Sequence, residues 1–450
     1  MDKINSQPTN YQIPLYAESK IKVNNSEQET SGQLKDQVSL GNNDPVMPDP
    51  IKPHKKWLFI NYLAADCNLT EYQLQNIDQQ EMVGSDDTTH LVAYMDVGEK
   101  KHNFGDWNHS RAIYINKDET PDQFNSELIQ EFGQTNMSDP QTLTKYIVDA
   151  IGKFPADHVC LVMNSHGGGF TGAMADDDAS DAMPIPQMRE ALEKAQEITG
   201  KKIDIIGFDA CLMSEYEVAY EFKNIADIML ASEESENGPG WKYNNMLGGK
   251  SFSKAVKMIQ DSSLYKIDVG PKEFAKVVVD INRENNEDIP TFSAIDLSKM
   301  TELKDSLNNF AKAVRASDDK ESVKSAILAS EHYGGGWAPY CDIRDIGHIA
   351  DNIIKGSSDD KLKEAANDIK EKLEMAVMHN AVNPQEHPNS QGLSIFAPTT
   401  KGSVTSNYTE LKFAQETEWD EMLADIGIKT KSSKSQTGTP IYWPNGAPRR

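Results

Sequence analysis

Two apolar runs end in side chains able to do nucleophilic chemistry. "VCLVMNSHGGGF" places His166 directly after one run and before three glycines, and "IDIIGFDACLMS" places Cys211 directly after another. A thiol is only a few per cent ionised at neutral pH; an adjacent imidazole favours the thiolate and later protonates a leaving amine. The glycines after His166 remove side chains where a substrate backbone must approach and leave the Gly167 N–H able to face an oxyanion. A helix expected over "SEYEVAYEF", just beyond Cys211, points its N-terminal dipole toward the sulfur, which lowers a thiol pKa. Spacing alone leaves a second reading open, because free cysteines are among the most buried residue types and a histidine before a turn is often only hydrogen-bonded. Cys160, inside "HVCLVM", reads as core, and Cys67 and Cys341 have no comparable companions.

The elements that must position this pair follow from hydrophobic periodicity. "WLFINYLAA", "THLVAYMDV", "AIYINKD", "HVCLVMNS", "IDIIGFDAC" and "DIMLASEE" read as strands. Between them lie helices. "DPQTLTKYIVDAIGKF" opens on Asp139 before Pro140, an N-cap with proline at the first turn, and "PIPQMREALEKAQEITG" ends on Gly200. Regular alternation predicts an α/β fold with a mostly parallel sheet flanked by helices, whose sites lie at the carboxyl ends of the strands. One helix separates the His166 and Cys211 strands, so both side chains fall on the same edge of the sheet. Beyond about residue 250 the pattern turns helical, as in "KEFAKVVVDINRENN", "MTELKDSLNNFAKAVRAS" and "DDKLKEAANDIKEKLEMAVMHN", with one late strand-like run, "GLSIFAP". The expected organisation is a flexible polar leader over 1–54, a catalytic α/β core over 55–248, a helix-rich region over 249–428 that completes the fold, and a loose tail over 429–450.

The 450 residues carry 70 Asp and Glu against 45 Lys and Arg, a formal charge of −25. That field repels phosphate, which disfavours nucleic acid and anionic membranes and fits a cationic partner. No apolar stretch approaches the roughly 18–20 residues needed to span a bilayer. Four cysteines spread singly, with no C-x-x-C pair, argue against a disulfide framework or a cysteine-rich zinc site. No basic start followed by an apolar block marks a secretory signal, so a cytoplasmic location or a non-classical route is expected.

"NSHGGG", "FDACLMS" and "ASEESENGPGW", in this order and spacing, resemble the His, Cys and post-Cys segments of the clostripain family of caspase-like peptidases. "YLAADCNLTEY" resembles the family's first core strand and its Asn-containing turn, and "YTELKFAQETEWDEML" its C-terminal segment, so the likeness spans roughly residues 55–427. The resemblance implies a caspase-like fold and a cysteine endopeptidase acting as a monomer on proteins or peptides. It implies His166 and Cys211 as catalytic dyad, the N–H groups of Gly167 and Cys211 as oxyanion donors, and Asp209 as the S1 residue that selects a substrate Arg or Lys. Glu233 or Glu234 would add negative potential near that pocket. The resemblance also allows Ca²⁺, although no cofactor is required by the motifs. Relatives resemble zymogens cut between the His and Cys motifs, yet Gly167 to Met188 contains no Lys or Arg, so no self-cleavage is expected there.

Other readings of these residues fall away. "HGGGF" also resembles an esterase oxyanion loop, but no G-x-S-x-G elbow is present. "GGGFTG" matches G-x-G-x-x-G, yet an acidic loop rather than a helix follows it. Within that loop Asp176, Asp178 and Ser180 alternate as in an EF-hand, but Asp181 stands where glycine is required and Gln187 where glutamate is. No histidine spacing fits zinc. The alternative from a different class is a catalytically inactive binding or regulatory protein, against which the joint presence of His166, Cys211 and Asp209 counts.

Overall fold

Strand β1 (Lys55–Ala64) sends Trp57, Phe59 and Leu63 to one buried cluster and Leu58, Ile60 and Tyr62 to another. A strand covered on both faces needs apolar residues at every position, which is why it reads as a continuous run. Each fully buried large side chain contributes roughly 1.5–3 kcal/mol.

The computed structural model describes residues 44–98, 109–120, 123–177, 181–243, 252–283, 289–334, 342–398 and 407–427. The tail over 429–450, and the leader up to residue 43, lie outside them. After β1 come β2 (Thr89–Asp96), β3 (Ser110–Tyr114), β4 (Glu127–Gly133), β5 (Ala156–Asn164), β6 (Ala173–Asp176) and β7 (Asp181–Met183). Then follow β8 (Ile203–Asp209), β9 (Ala226–Ala231), β10 (Thr291–Asp296), β11 (His332–Tyr333), β12 (Ile343–Asp345), β13 (Val377–Val382) and β14 (Ser394–Phe396). Nine of them form one sheet in the order β13-β10-β9-β8-β5-β1-β2-β3-β4. The five central strands are parallel and the two strands at each edge run antiparallel. This is the expected α/β architecture.

Helices α1 (Thr70–Glu81), α2 (Pro140–Lys153), α3 (Ile185–Thr199), α4 (Tyr216–Phe222), α5 (Phe252–Leu264) and α6 (Pro271–Arg283) accompany the sheet. Leu74 and Ile77 of α1, Val256 of α5 and Phe274 of α6 fill the cluster on the Trp57 face, while Tyr146 of α2 and Leu192 of α3 fill the other. The caps behave as the residues dictate. Asp139 accepts from Gln141 N–H (3.1 Å), and Gly200, at φ +66°, closes α3 through its N–H to Gln196 C=O (2.8 Å). The C-terminal part adds α7 (Met300–Ala316), α8 (Lys320–Leu328), α9 (Ile346–Gly356), α10 (Asp360–Ala376), α11 (Lys412–Glu416) and α12 (Trp419–Asp425).

Two expectations change. The run "DDKLKEAANDIKEKLEMAVMHN" is not helical to its end: α10 stops at Ala376, and Val377–Val382 pairs with β10 as the sheet edge, where β-branched residues fit the pleat. The expected core over 55–248 therefore borrows two sheet strands from beyond it. Residues just before 54, inside the expected leader, also bond the rest of the chain. The N–H groups of Ile51 and Lys52 both donate to the Lys153 carbonyl (3.0 and 3.3 Å), satisfying a group that the end of α2 leaves open.

Candidate active site

β5 and β8 are hydrogen-bonded neighbours whose last residues, Asn164 and Asp209, stand opposite one another. His166 and Cys211 each follow two residues later, so adjacent strands deliver them to one edge. The two turns interlock. Ser165 N–H donates to Asp209 C=O (3.3 Å), and a Cβ on Gly167 would lie 2.5 Å from the Cys211 carbonyl oxygen, so only glycine fits. Gly168 N–H bonds Gly172 C=O (2.9 Å) and Met174 N–H bonds His166 C=O (3.1 Å). That antiparallel bridge leaves the Gly167 N–H outside its ladder.

Asn68, in the turn after β1, accepts through Oδ1 from His166 Nε2–H at 2.5 Å. With Nε2 carrying the proton, Nδ1 is the basic nitrogen of the ring. Burial lowers the His166 pKa, and the charge of Asp177 works against that.

The turn at Cys211 is not the start of a helix. Leu212 adopts φ +65°, its N–H donates to Glu234 C=O (3.3 Å), and α4 begins only at Tyr216. The expected helix-dipole effect is absent, and the thiol is pushed up to about 12, first by burial and then by the carboxyl of Glu236. The half-buried Cys211 Sγ accepts from Glu236 N–H (3.3 Å) and donates to its carbonyl (3.5 Å).

Asp209 is buried beside this sulfur. Oδ2 accepts from Asn164 Nδ2 (2.8 Å) and Tyr243 Oη (3.1 Å), and Oδ1 from Trp241 N–H (3.1 Å). Burial raises its pKa to about 6, and the neighbouring Glu236 carboxyl is held well above the usual range by burial and by the charge of Asp209. Asn164 is held in turn: it donates to Asn76 Oδ1 (3.1 Å), and both its carbonyl and amide oxygens accept from Gln73 (2.8 and 2.9 Å). Gly207 admits the Trp241 indole, which a Cβ would meet at 2.6 Å.

The two candidate glutamates part ways. Glu233 is buried, accepts from Gly392 N–H (3.1 Å) and shares a hydrogen bond with Asp345, so its carboxyl is spent within the fold. Glu234 accepts from Ser235 N–H (2.7 Å) and Gly334 N–H (3.0 Å), lies 3.6 Å from His387 Nε2, and raises the Cys211 pKa. The second acid beside Asp209 is Glu236, which the sequence reading passed over. Of the acidic loop, Asp176 accepts from Met137 N–H (2.9 Å), while Asp178 and Ser180 lie outside the described residues.

The model of the clostripain family matches residues 61–426. The chain belongs to the clostripain family. It is 26% identical over 330 residues to clostripain from Hathewaya histolytica, covering 62% of this chain and 60% of that protein. The chain thus spans less than two thirds of the curated relative it matches. Among solved structures it is similar to a secreted cysteine protease from Bacteroides thetaiotaomicron in complex with an irreversible peptide inhibitor (20% identity, TM-score 0.58, 81% of this chain and 99% of that one). It is also similar to an inactive zymogen protease from Parabacteroides distasonis (19% identity, TM-score 0.57, 83% and 99%). The fold is shared with these caspase-like family members.

In this clostripain-family chain one further residue joins the two motifs. Phe170 N–H donates to Glu215 Oε2 (2.6 Å), and Gly169, at φ +58°, would bring a Cβ within 2.2 Å of that oxygen. Glu215 therefore ties the turn after His166 to the segment after Cys211. Burial and the charge of Glu217 hold the Glu215 carboxyl well above the usual range, and Glu217 in turn accepts from Tyr408 Oη (2.8 Å) and Phe396 N–H (3.2 Å).

Proposed function

We propose that this chain is a cysteine endopeptidase that cleaves peptides after an Arg or Lys, with Cys211 as nucleophile and His166 as its acid–base partner. The observation that supports it best is the convergence of Cys211, an oriented His166 and the buried Asp209–Glu236 pair at the ends of adjoining strands. His166 Nδ1 takes the thiol proton as Sγ attacks the scissile carbonyl carbon. The oxyanion faces the N–H groups of Gly167 and Cys211. Collapse breaks the C–N bond, the amine leaves with the proton from His166, and water then hydrolyses the thioester with His166 as base. A buried carboxylate rejects neutral P1 side chains because they leave it unpaired, whereas a guanidinium or ammonium satisfies it. The peptide inhibitor in the Bacteroides relative accords with peptides as substrates. The same proposal has the chain uncut between Gly167 and Met188, which lacks a basic residue; two fragments meeting there by intact mass would contradict it.

A peptide-library cleavage profile of wild type against Cys211→Ala is the test. Cleavage after Arg or Lys, lost in the variant, is expected; activity retained in Cys211→Ala refutes the assignment, and cleavage without basic preference refutes the role of Asp209. An inactive binding module would show no cleavage in either protein.

A further inference from the structure

The turn from α5 to α6 carries the longest run of exposed side chains among the described residues: Leu264, Tyr265, Lys266, Ile267 and Asp268. Leu264, Tyr265 and Ile267 are 80, 77 and 59% exposed, so apolar groups flank a lysine in open solvent. Lys266 sits at φ +56°, in the left-handed region that L side chains rarely adopt. The bonds that hold the turn are local. The N–H groups of Tyr265 and Ile267 donate to Ser262 C=O (3.1 and 2.8 Å) and that of Lys266 to Ser263 C=O (3.2 Å), closing the last turn of α5. Straightening residues 264–268 therefore opens one helix end and the Asp268–Lys56 ion pair, and withdraws no side chain from the core, since the flanking buried residues are Ser262 and Val269. Other exposed lysines differ. Lys254 and Lys257 stand inside α5, and Lys117 follows the buried Ile115 and precedes Asp118, whose N–H is tied to the Glu81 carbonyl of α1 (2.8 Å).

We propose that the Lys266–Ile267 bond is a substrate for a second copy of this chain, which nicks the protein into a two-chain enzyme. This rests on the reading of the site as one that cleaves after Arg or Lys. The cut is intermolecular: Asp268 pairs with Lys56 at the start of β1, whereas Asn68, which meets His166, follows the other end of that strand. Ten residues at ~3.3 Å each put about 30 Å between them, so no copy reaches its own Lys266. Cys211 Sγ of one copy attacks the Lys266 carbonyl carbon of the other, the C–N bond breaks, the Ile267 amine leaves with a proton, and water hydrolyses the thioester. Residues 1–266 keep His166, Asp209 and Cys211, and 267–450 carry β10 and β13. The pieces stay joined, because β10 pairs with β9 and the Phe252 ring of α5 packs on Phe274 of α6 (5.6 Å), both against Phe59 (5.9 and 5.3 Å). Nicking thus leaves the site assembled.

The test uses full-length Cys211→Ala, which cannot cut itself, mixed with a trace of wild type and followed by intact mass and N-terminal sequencing, beside an Arg- and Lys-peptide assay. A new N-terminus at Ile267 is expected, with a rate proportional to the wild-type concentration. Lys266→Gln in the same background is expected to lose that cut by a factor on the order of 100 or more, while Lys266→Gln alone keeps peptide hydrolysis. The nicked wild type is expected to hydrolyse peptides as fast as the intact chain; loss of activity on nicking refutes the two-chain enzyme. Trypsin is expected to cut Cys211→Ala after Lys266, and a bond that resists trypsin refutes the accessibility of the turn. Peptide hydrolysis with the Lys266–Ile267 bond left intact, or cut equally fast in Lys266→Gln, overturns this proposal alone. A wild type that hydrolyses no Arg or Lys peptide overturns the functional reading beneath it, and the proposal with it.

Discussion

Truncating Glu215 to alanine leaves the buried Phe170 N–H without its 2.6 Å acceptor and Glu217 without its neighbouring carboxyl. An orphaned buried donor costs about 1–3 kcal/mol, partly offset by relief of the crowded carboxyl pair. The turn His166–Phe170 then loses its tie to the Cys211 segment, and the Gly167 N–H drifts from the position where an oxyanion forms. Loss of one such donor lowers kcat on the order of 10²–10³-fold, so Glu215→Ala is expected near 10²-fold with KM changed by less than about threefold. Glu215→Gln offers a neutral acceptor to Phe170 and a donor to Glu217, as the protonated acid does, and is expected to stay within about threefold of wild type. Steady-state kinetics on an Arg peptide reads kcat and KM. Alkylation of Cys211 by iodoacetamide, which develops no oxyanion, reads the thiol and imidazole alone and is expected to change little in either variant. The reasoning fails if Glu215→Ala keeps kcat within threefold, or if Glu215→Gln falls as far as alanine.

Asn68→Ala frees the His166 ring from its Nε2–H acceptor, and a 10–100-fold loss of kcat at nearly constant KM is expected; an equal rise in KM would place Asn68 in substrate binding instead. Gly240→Ala sets a Cβ 2.3 Å from Asp209 Oδ1 at φ +56°, so KM for basic peptides should rise with a lowered melting temperature, measured by kinetics and thermal unfolding. Three buried pairs, Asp209–Glu236, Glu215–Glu217 and Glu233–Asp345, hold protons in the folded chain that the unfolded chain releases near pH 4–5. Their folded pKa values are raised, Asp209 to about 6 and Glu217 and Asp345 to about 7, so stability falls as pH rises from 5 through 7, by about 1.4 kcal/mol per pH unit for each extra proton held. Melting temperatures across pH 5–8 should decline, and Glu233→Gln should flatten the slope.

The parallel centre of the fold was legible because its strands are buried on both faces, which leaves unbroken apolar runs such as "IDIIGFDAC" that stop where the chemistry begins. The edge strand Val377–Val382 was hidden because it continues the helical pattern of α10 without a breaker, and only its partner Thr291–Asp296 makes it extended. The His166 and Cys211 strand ends were readable from spacing, but their supports were not. Asn164 matters because it stands opposite Asp209 across a strand pair, a relation between residues 45 positions apart that no local pattern encodes. Glu236 sits in a Gly- and Pro-rich loop whose composition suggests solvent, yet the loop folds over the sulfur. In "ASEESEN" the identity of the acid that meets Asp209 depends on how that loop is anchored, with Glu233 drawn inward to Asp345. Asn68 lay in a turn already singled out, with no signal for the imidazole it meets.

The segment that follows Cys211, the proposed nucleophile, is stitched to residues far downstream. Ser394 donates from both N–H (3.0 Å) and Oγ (2.9 Å) to the Ser214 carbonyl, 180 positions away, and Ser214 Oγ donates to Gly392 C=O (2.8 Å). During synthesis at ~5–20 residues per second, on the order of ten to forty seconds pass between the emergence of Cys211 and of the residues that brace it. Throughout that interval the growing polypeptide carries Cys211 without the downstream residues that brace its turn, so that turn reaches its final form only when the chain is nearly complete.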